Sequence, residues 1–347
     1  MRMKRQLQKP TPEMTELLRR TGSSNRAEAL EAMHALAQAL QTPLRSALLN
    51  GDILAGIFAP EMLDPGATAE YPLDFFLHGS NEDDFVAYVV PGEGRIPERA
   101  ISGDVVTVTT YDIANAIDWS LKYSRAARWN IVARAMEVLE AGFVRKMNTD
   151  GWRTIISAGA GRTDYLGAAP LVYDSAATAG QFTKRLVSLM KTSMQRLGGG
   201  NSASQGRARL TDLFISPEAI EDIRAWGSSD ADDFTLREIF VASDDPNTGP
   251  LASIYGVRLH PITELGVGQE FQDYYSITLA DSMGASDEEI VIGLDLQQND
   301  SFVMPVKEEL TIFEDENLHR RRKAGFYAWQ EQGFAVLDSR RVLLGSF

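Results

Sequence analysis

From Ser124 to Asn148 the sequence SRAARWNIVARAMEVLEAGFVRKMN keeps an unbroken helical period, and this stretch limits what the chain can become. Trp129, Val132, Met136, Leu139, Phe143 and Met147 recur at intervals of three and four, which stacks them on one side of a helix. Ile131, Ala135, Val138 and Gly142 widen that side to roughly half the circumference, leaving Asn130, Arg134, Glu137, Arg145 and Asn148 opposite. A helix so apolar must lie along a sheet or another subunit.

The totals narrow the choice. A chain of 347 residues suffices for two cores, or for one core with long excursions. No run of about 18 apolar residues exists, which argues against a membrane-spanning helix. The basic start MRMKRQLQKP lacks the apolar stretch of a secretory signal, so synthesis in the cytoplasm is expected. There is no cysteine, which excludes disulfides, thiolate zinc sites and cysteine nucleophiles. A net charge of −14 disfavours a protein whose whole surface binds nucleic acid, and does not exclude a container whose acidic wall declines to hold DNA. Positive charge gathers at Arg2, Lys4, Arg5 and Lys9, and again from Arg320 to Lys323.

Along the chain, residues 11–51 predict three short helices. Thr11–Pro12 and Thr42–Pro43 mark two starts, Asn25 with Glu28 a capping box, and Gly22 and Gly51 stops. Leu30, Met33, Leu36, Ala37 and Leu40 form a stripe that predicts docking on the main body or on a neighbouring chain. Residues 53–72 look irregular, broken by Pro60, Pro65, Gly66 and Pro72. Phe85–Val90 and Val105–Tyr111 predict a long two-stranded finger with the tip PGEGRIPERAISG, and Ile117, Trp119 and Leu121 a strand leading into the spine helix.

After the spine, Trp152, Ile155 and Ile156 fall on the side that was polar before Asp150 and Gly151, so a kink or a new environment is expected there, with a domain change near Gly159. A helix over Thr178–Leu197, a strand at Leu213–Ile215 and a helix from Ser216–Pro217 follow. Strands are predicted at Ile254–Leu259, Tyr275–Leu279 and Ile290–Leu294. Terminal strands at Phe302–Met304, Leu310–Phe313, Gly325–Trp329 and Phe334–Leu337 suit the sheet that the spine requires.

Catalytic signatures are missing. His34, His78, His260 and His319 have no second ligand at helical spacing, and satisfied or exposed histidines are the favoured reading. Gly159, Gly161 and Gly198–Gly200 lack the Lys-Ser or Lys-Thr of a phosphate loop and read as loop or hinge. Asp230, Asp232 and Asp233 lack the glycine and terminal glutamate of a calcium loop. No catalytic, cofactor or metal residue is therefore assigned. Glu308, Glu309, Glu314, Asp315 and Glu316 precede Arg320, Arg321, Arg322 and Lys323, and two readings stay open: ordinary surface charge, or charge pairing between subunits.

The order of helical arm, β finger, strand, spine helix, mixed domain and terminal strands resembles the major capsid proteins of tailed bacteriophages, which have the Hong Kong 97-like fold, across essentially the whole chain. LTDLFISPEAIEDIRAW (210–226), SIYGVRLHP (253–261) and GFAVLDSRRV (333–342) look like that family's middle-domain strand and helix, its YGV strand and its closing segment. The resemblance implies an α+β chain with a helical N-terminal arm over 1–60, a connection over 61–79 and an extended β-hairpin E-loop over 80–112. It further implies a P-domain strand and long spine helix over 113–159, a mixed α/β A-domain over 160–300, and P-domain C-terminal strands over 301–347 that make an antiparallel sheet.

Such subunits self-assemble into hexamers and pentamers, first as a procapsid and then, on maturation, as an expanded icosahedral head in the virion. The implied partners are further copies, a portal, a scaffold and a cement or decoration protein, around double-stranded DNA bound without sequence preference. Assembly in the host cytoplasm is implied, with no membrane. Some members weld subunits through an E-loop lysine, but no lysine lies between Lys9 and Lys122, so isopeptide crosslinking is not expected. With only a short arm ahead of the finger, scaffolding is expected from a separate protein.

Candidate assembly residues are Pro91, Gly92, Glu93, Gly94 and Arg95 at the finger tip and Glu314, Asp315, Arg320, Arg321 and Arg322 in the charged blocks, with Asp150 and Gly151 as a spine hinge. An encapsulin-type compartment shell and an acidic cytosolic enzyme with a scattered site are the alternatives.

Overall fold

Residues 1–69, 107–151 and 304–334 form one unit, and residues 70–106, 152–303 and 335–347 another. The computed structural model describes residues 12–51, 53–73, 104–126, 128–161, 171–178, 180–197, 208–226, 240–241, 251–278, 288–297 and 301–347. The predicted strand Phe85–Val90 and the finger tip lie outside the described residues.

The N-terminal region holds two helices, α1 (Pro12–Thr21) and α2 (Arg26–Gly51), where three were expected. Asn25 Oδ1 accepts the Ala27 N–H (3.2 Å), while Glu28 takes the Ser23 hydroxyl (3.0 Å) rather than closing a capping box on Asn25. Pro43 does not end α2. A proline removes one backbone donor, but Ala29, Ala32, Met33, Leu36, Ala37 and Leu40 are all buried, and that packing carries the helix across the gap. The arm docks on its own chain: Leu18, Met33, Leu36, Ala37 and Leu40 share a core with Val132, Met136, Leu139 and Phe143.

Two strands occupy the stretch that its prolines marked as irregular, β1 (Ala59–Met62) and β2 (Ala69–Leu73). Both tolerate proline because among the described residues each has one strand neighbour. β2 pairs with β3 (Asp104–Val108), which ends before the Tyr111 predicted for it; Tyr111 instead opens β4 (Tyr111–Ser120). Leu121 belongs to a short helix, α3 (Leu121–Arg125), so the spine does not start at Ser124. The N–H groups of Ala126 and Arg128 return to Lys122 and Tyr123 and close α3, and Arg125 Nε is held by the Gly22 carbonyl (2.8 Å).

The spine is α4 (Trp129–Ala160), continuous through Asp150 and Gly151. Trp129, Val132, Met136, Leu139, Phe143 and Met147 are all buried, as their spacing requires, but Val138 is 52% exposed and Gly142 is exposed, so the apolar face is narrower than half the circumference. Burial resumes on the other side at Trp152, Ile155 and Ile156, which lie in the second unit. The shift in period marks a new environment, not a break: Trp152 meets Phe214 edge-on, 4.8 Å between ring centroids.

In the second unit come β5 (Leu171–Tyr173), α5 (Lys184–Leu197), β6 (Asp212–Ile215), α6 (Pro217–Ala225), β7 (Phe240–Val241), β8 (Leu251–Ile254), β9 (Val257–Pro261) and β10 (Ile290–Leu294). α5 starts later than the expected Thr178, where the Thr183 hydroxyl accepts the Leu186 N–H (3.2 Å). Ser216 caps α6 by accepting the Ala219 N–H. The single strand expected over Ile254–Leu259 is a hairpin, because Tyr255 (φ 53°) and Gly256 (φ 76°) turn the chain through left-handed conformations. The strand expected at Tyr275–Leu279 is instead a π-helical turn, Tyr274–Thr278.

β11 (Phe302–Glu314) was expected as two strands; it is one, with irregular register at Glu308 that interrupts the alternation. β12 (Lys323–Gln332) follows, then β13 (Ala335–Val336) and β14 (Val342–Ser346). The first sheet runs β1-β11-β12-β4, with β13 also on β11. β12 pairs antiparallel along all of β4, from Lys323↔Ser120 to Gln332↔Tyr111, and Phe326 and Ala328 share the core of the spine stripe. The second sheet runs β5-β14-β10-β6-β9-β8-β7, so the closing strand leaves the terminal-strand block and joins the second unit. Gly159 is no loop: inside α4, a Cβ on it would lie 2.7 Å from Leu344 Cγ.

Gly325 sits in β12 opposite Asp118, where an added Cβ would come within 2.4 Å of the Ile117 carbonyl. Backbone there has nowhere to go. Gly325→Ala should therefore destabilise the subunit by about 1–3 kcal/mol, read as a lower urea midpoint with unchanged slope.

Candidate assembly surfaces

Among the described residues no group of three or more His, Asp and Glu side chains is placed to hold a metal ion. His260 stacks on Phe214 and lies 2.8 Å from Asp212 Oδ1, and His34 lies 3.4 Å from a Glu314 carboxylate oxygen with Gln38 on its other nitrogen. His78, Asp230, Asp232, Asp233 and Gly198–Gly200 lie outside the described residues.

Two buried carboxylates have their pKa values displaced in opposite directions. Burial alone would raise Asp212, but hydrogen bonds from His260 and Thr211 and the Arg258 charge outweigh it and hold its pKa below the ordinary value. Burial raises Glu289, and the Ser216 hydroxyl that donates to it does not offset this; Glu218 and Asp222 push the same way.

The charged blocks form the connection between β11 and β12. Glu314 ends β11 half-buried, Asp315 accepts the Asn317 N–H (2.9 Å), and a 3₁₀ turn covers Glu316–Arg321. Arg322 then adopts a left-handed conformation (φ 56°), which costs a non-glycine residue about 1–2 kcal/mol, and its carbonyl accepts the Leu121 N–H (3.1 Å). Arg320, Arg321 and Arg322 are exposed, and among the described residues none of them pairs with an acid. Lys323 is engaged separately, with Asp118 (2.6 Å).

Asp150 and Gly151 lie inside α4. Asp150 accepts from the Tyr111 hydroxyl (2.8 Å) and from Lys146 (2.7 Å), and burial together with Asp150 raises the Tyr111 pKa. Gly151 is buried, with Leu54 Cδ1 2.2 Å from where a Cβ would stand. Pro91, Gly92, Glu93, Gly94 and Arg95 lie outside the described residues.

Sequence reasoning missed the outer face of the first sheet. Phe313, Tyr327 and Trp329 form an aromatic cluster there, with ring centroids 4.8–5.6 Å apart, and Trp329 is 38% exposed. The signal was alternation along β12, where Tyr327 and Trp329 interleave with the buried Phe326 and Ala328. Tyr255, 54% exposed at the tip of the β8–β9 hairpin, is likewise invisible in the sequence, because its left-handed turn lies within a strand-like run.

No family model matches the sequence, and no curated protein matches it. Solved structures do. A protein of Microbacterium phage Oxtober96 is 10% identical over 86% of this chain and 90% of its own, with a TM-score of 0.54. The acid-stable capsid of Helicobacter pylori bacteriophage KHP30 gives 8% identity over 85% and 90%, and the head of Helicobacter pylori bacteriophage KHP40 gives 10% over 85% and 89%, both with a TM-score of 0.52. The chain has the Hong Kong 97-like fold of phage capsid proteins, a mixture of helix and sheet.

Replacing Glu289 by Gln tests the buried acid. A carboxyl with a raised folded-state pKa contributes stability below its unfolded pKa and loses it as pH rises through the folded value. Glu289→Gln should therefore raise Tm at pH 7, and the gain should shrink as pH falls into the ordinary carboxylate range. Asp212 works in reverse: its contribution is present above the unfolded pKa and lost as pH falls through the folded one, so Asp212→Asn should destabilise at neutral pH and cost less in acid.

Proposed function

We propose that this chain is a non-enzymatic shell subunit, a major capsid protein that self-assembles into the hexamers and pentamers of a tailed-phage head around double-stranded DNA. The observation that carries the reading is the likeness in fold to the capsid and head of two Helicobacter pylori bacteriophages over 85% of the chain. Surface chemistry supports it: the outward aromatic cluster of Phe313, Tyr327 and Trp329 is apolar surface suited to a contact with another copy.

In this reading the finger tip at Pro91–Arg95 and the blocks Glu314, Asp315 and Arg320–Arg322 contact neighbouring copies. Shells hold together without E-loop isopeptide bonds, as the lack of lysine between Lys9 and Lys122 suggests. A portal, a separate scaffold and a decoration protein are the expected partners, and the protein resides in the virion. Asp150 and Gly151, the last spine residues of the first unit, are where the helix bends as the shell expands.

Electron microscopy and sedimentation of the purified chain test the function. Icosahedral shells are expected, and a stable monomer at every concentration would refute it; shells loaded with a host enzyme in place of DNA would point to a storage compartment instead. For the charged turn, Arg321→Glu with Arg322→Glu should leave the Tm of the unassembled subunit within about 2 °C, since surface changes are usually small. Assembly should weaken most at low salt, where screening is least. Shell yield that is unchanged between 20 mM and 500 mM salt, values set as roughly long and short screening lengths, would remove the turn from the interface.

A further inference from the structure

The chain leaves the second unit between residues 303 and 304 and returns to it between 334 and 335. Just inside those points the two passing segments run side by side: Phe302 pairs with Val336, Val303 with Ala335, and the Leu337 N–H bonds the Ser301 carbonyl (2.8 Å). Both join the second sheet at one end, because Leu294, the last residue of β10, lies opposite Val342, the first of β14. Movement carried along the passing segments therefore reaches the β10–β14 ladder at its terminal rung. Strand ends are where ladders open first, one rung after another.

A buried ionic belt closes that end. One rung beyond Leu294 and Val342, the Asp295 N–H bonds the Arg341 carbonyl (3.0 Å). The Arg341 guanidinium also donates to the Asp295 carboxylate, and these side chains are only 7% and 1% exposed. Asp295 takes two further N–H groups, from Arg209 (2.9 Å) and Gln297 (3.1 Å), while Asp338 stands 3.6 Å from Arg341 Nε. Thr211 carries the belt on to β6: its N–H bonds the Leu294 carbonyl (3.1 Å), and its hydroxyl accepts the Leu296 N–H (2.9 Å) and donates to Asp212 (2.7 Å). Asp212 in turn holds Arg258 of β9 (3.0 Å). The stretches 210–226, 253–261 and 333–342, which stand out in the sequence, thus each supply charged members of one belt.

Global stability is a weak reason for such an arrangement, since desolvating a buried ion pair offsets most of its attraction. Resistance to separation is a better one, because pulling the pair apart would leave a charge buried without its partner. We infer that the belt is a clasp: displacement of the passing segments stops at Asp295 and Arg341 and does not open β10 from β14.

Amide exchange measured residue by residue in the full-length chain tests this. Glu289 and Phe347 exchange both backbone bonds, so Val291↔Gly345 and Gly293↔Leu343 are the hydrogen-bonded rungs, the second lying next to the clasp. Asp295→Asn/Arg341→Gln removes both charges, so that no buried ion is left unpaired. Exchange at Gly293 and Leu343 should then quicken by about tenfold or more, and at Val291 and Gly345 by less than about threefold. Ile223→Ala, in α6, whose Ser216 meets Glu289 at the other end of β10, should show no preference for Gly293 and Leu343. Arg341→Lys keeps the charge but loses the planar fork, so it should reproduce the gradient in weaker form and decides the matter if the double variant does not fold. Equal quickening of all four amides, or none, overturns the inference.

Discussion

The buried stripe of α4 holds the first unit together. Trp129, Val132, Met136, Leu139, Phe143 and Met147 share one core with Ile113 and Trp119 of β4, Leu310 and Ile312 of β11, Phe326 and Ala328 of β12, and Leu18, Met33, Leu36 and Leu40 of the arm. Full burial of each large apolar side chain contributes about 1.5–3 kcal/mol. None of these elements would persist alone: a ten-residue helix such as α1 is too short for independent stability, and a sheet with one apolar face needs a cover. The helical pair α1–α2 is thus as much a dependent of the spine as the sheet is.

This explains what could be read in the residues beforehand. The six stripe positions announced themselves by spacing, because a helix that buries one face must repeat its apolar residues every three or four places. The interruption at Asp150 also showed, since Trp152, Ile155 and Ile156 change sides. What escaped was set by partners distant in sequence. Pro60 and Pro72 disguise β1 and β2, whose peripheral positions make proline harmless. Pro43 suggested a helix start that the buried stripe of α2 overrides. Tyr255 and Gly256 look like strand residues, yet both take positive φ and fold β8 onto β9.

The candidate surfaces divide the same way. The basic run at Arg320–Lys323 stands out in the sequence, but that Lys323 is paired with Asp118, while among the described residues the three arginines meet no acid, follows only from the geometry of the turn. The outward cluster of Phe313, Tyr327 and Trp329 depends on the register that aligns β11 with β12, which no local pattern specifies. Strand alternation indicates that a residue faces outward. It does not indicate that two neighbouring strands place aromatics side by side.

Gly151 illustrates how a residue type can suggest the wrong physics. A glycine in a helix invites the idea of slackness, and glycine there does cost about 1 kcal/mol relative to alanine. Here it is buried, and the space a Cβ would need is filled by Leu54. Asp150 beside it is held by Tyr111 from the start of β4 and by Lys146 one turn earlier. Any bending of the spine at this point must slide Leu54 across the glycine and loosen the Tyr111 contact. The energetic barrier to such a movement therefore lies in side-chain packing and one phenol–carboxylate hydrogen bond, and the freedom of the Gly151 backbone has little part in it.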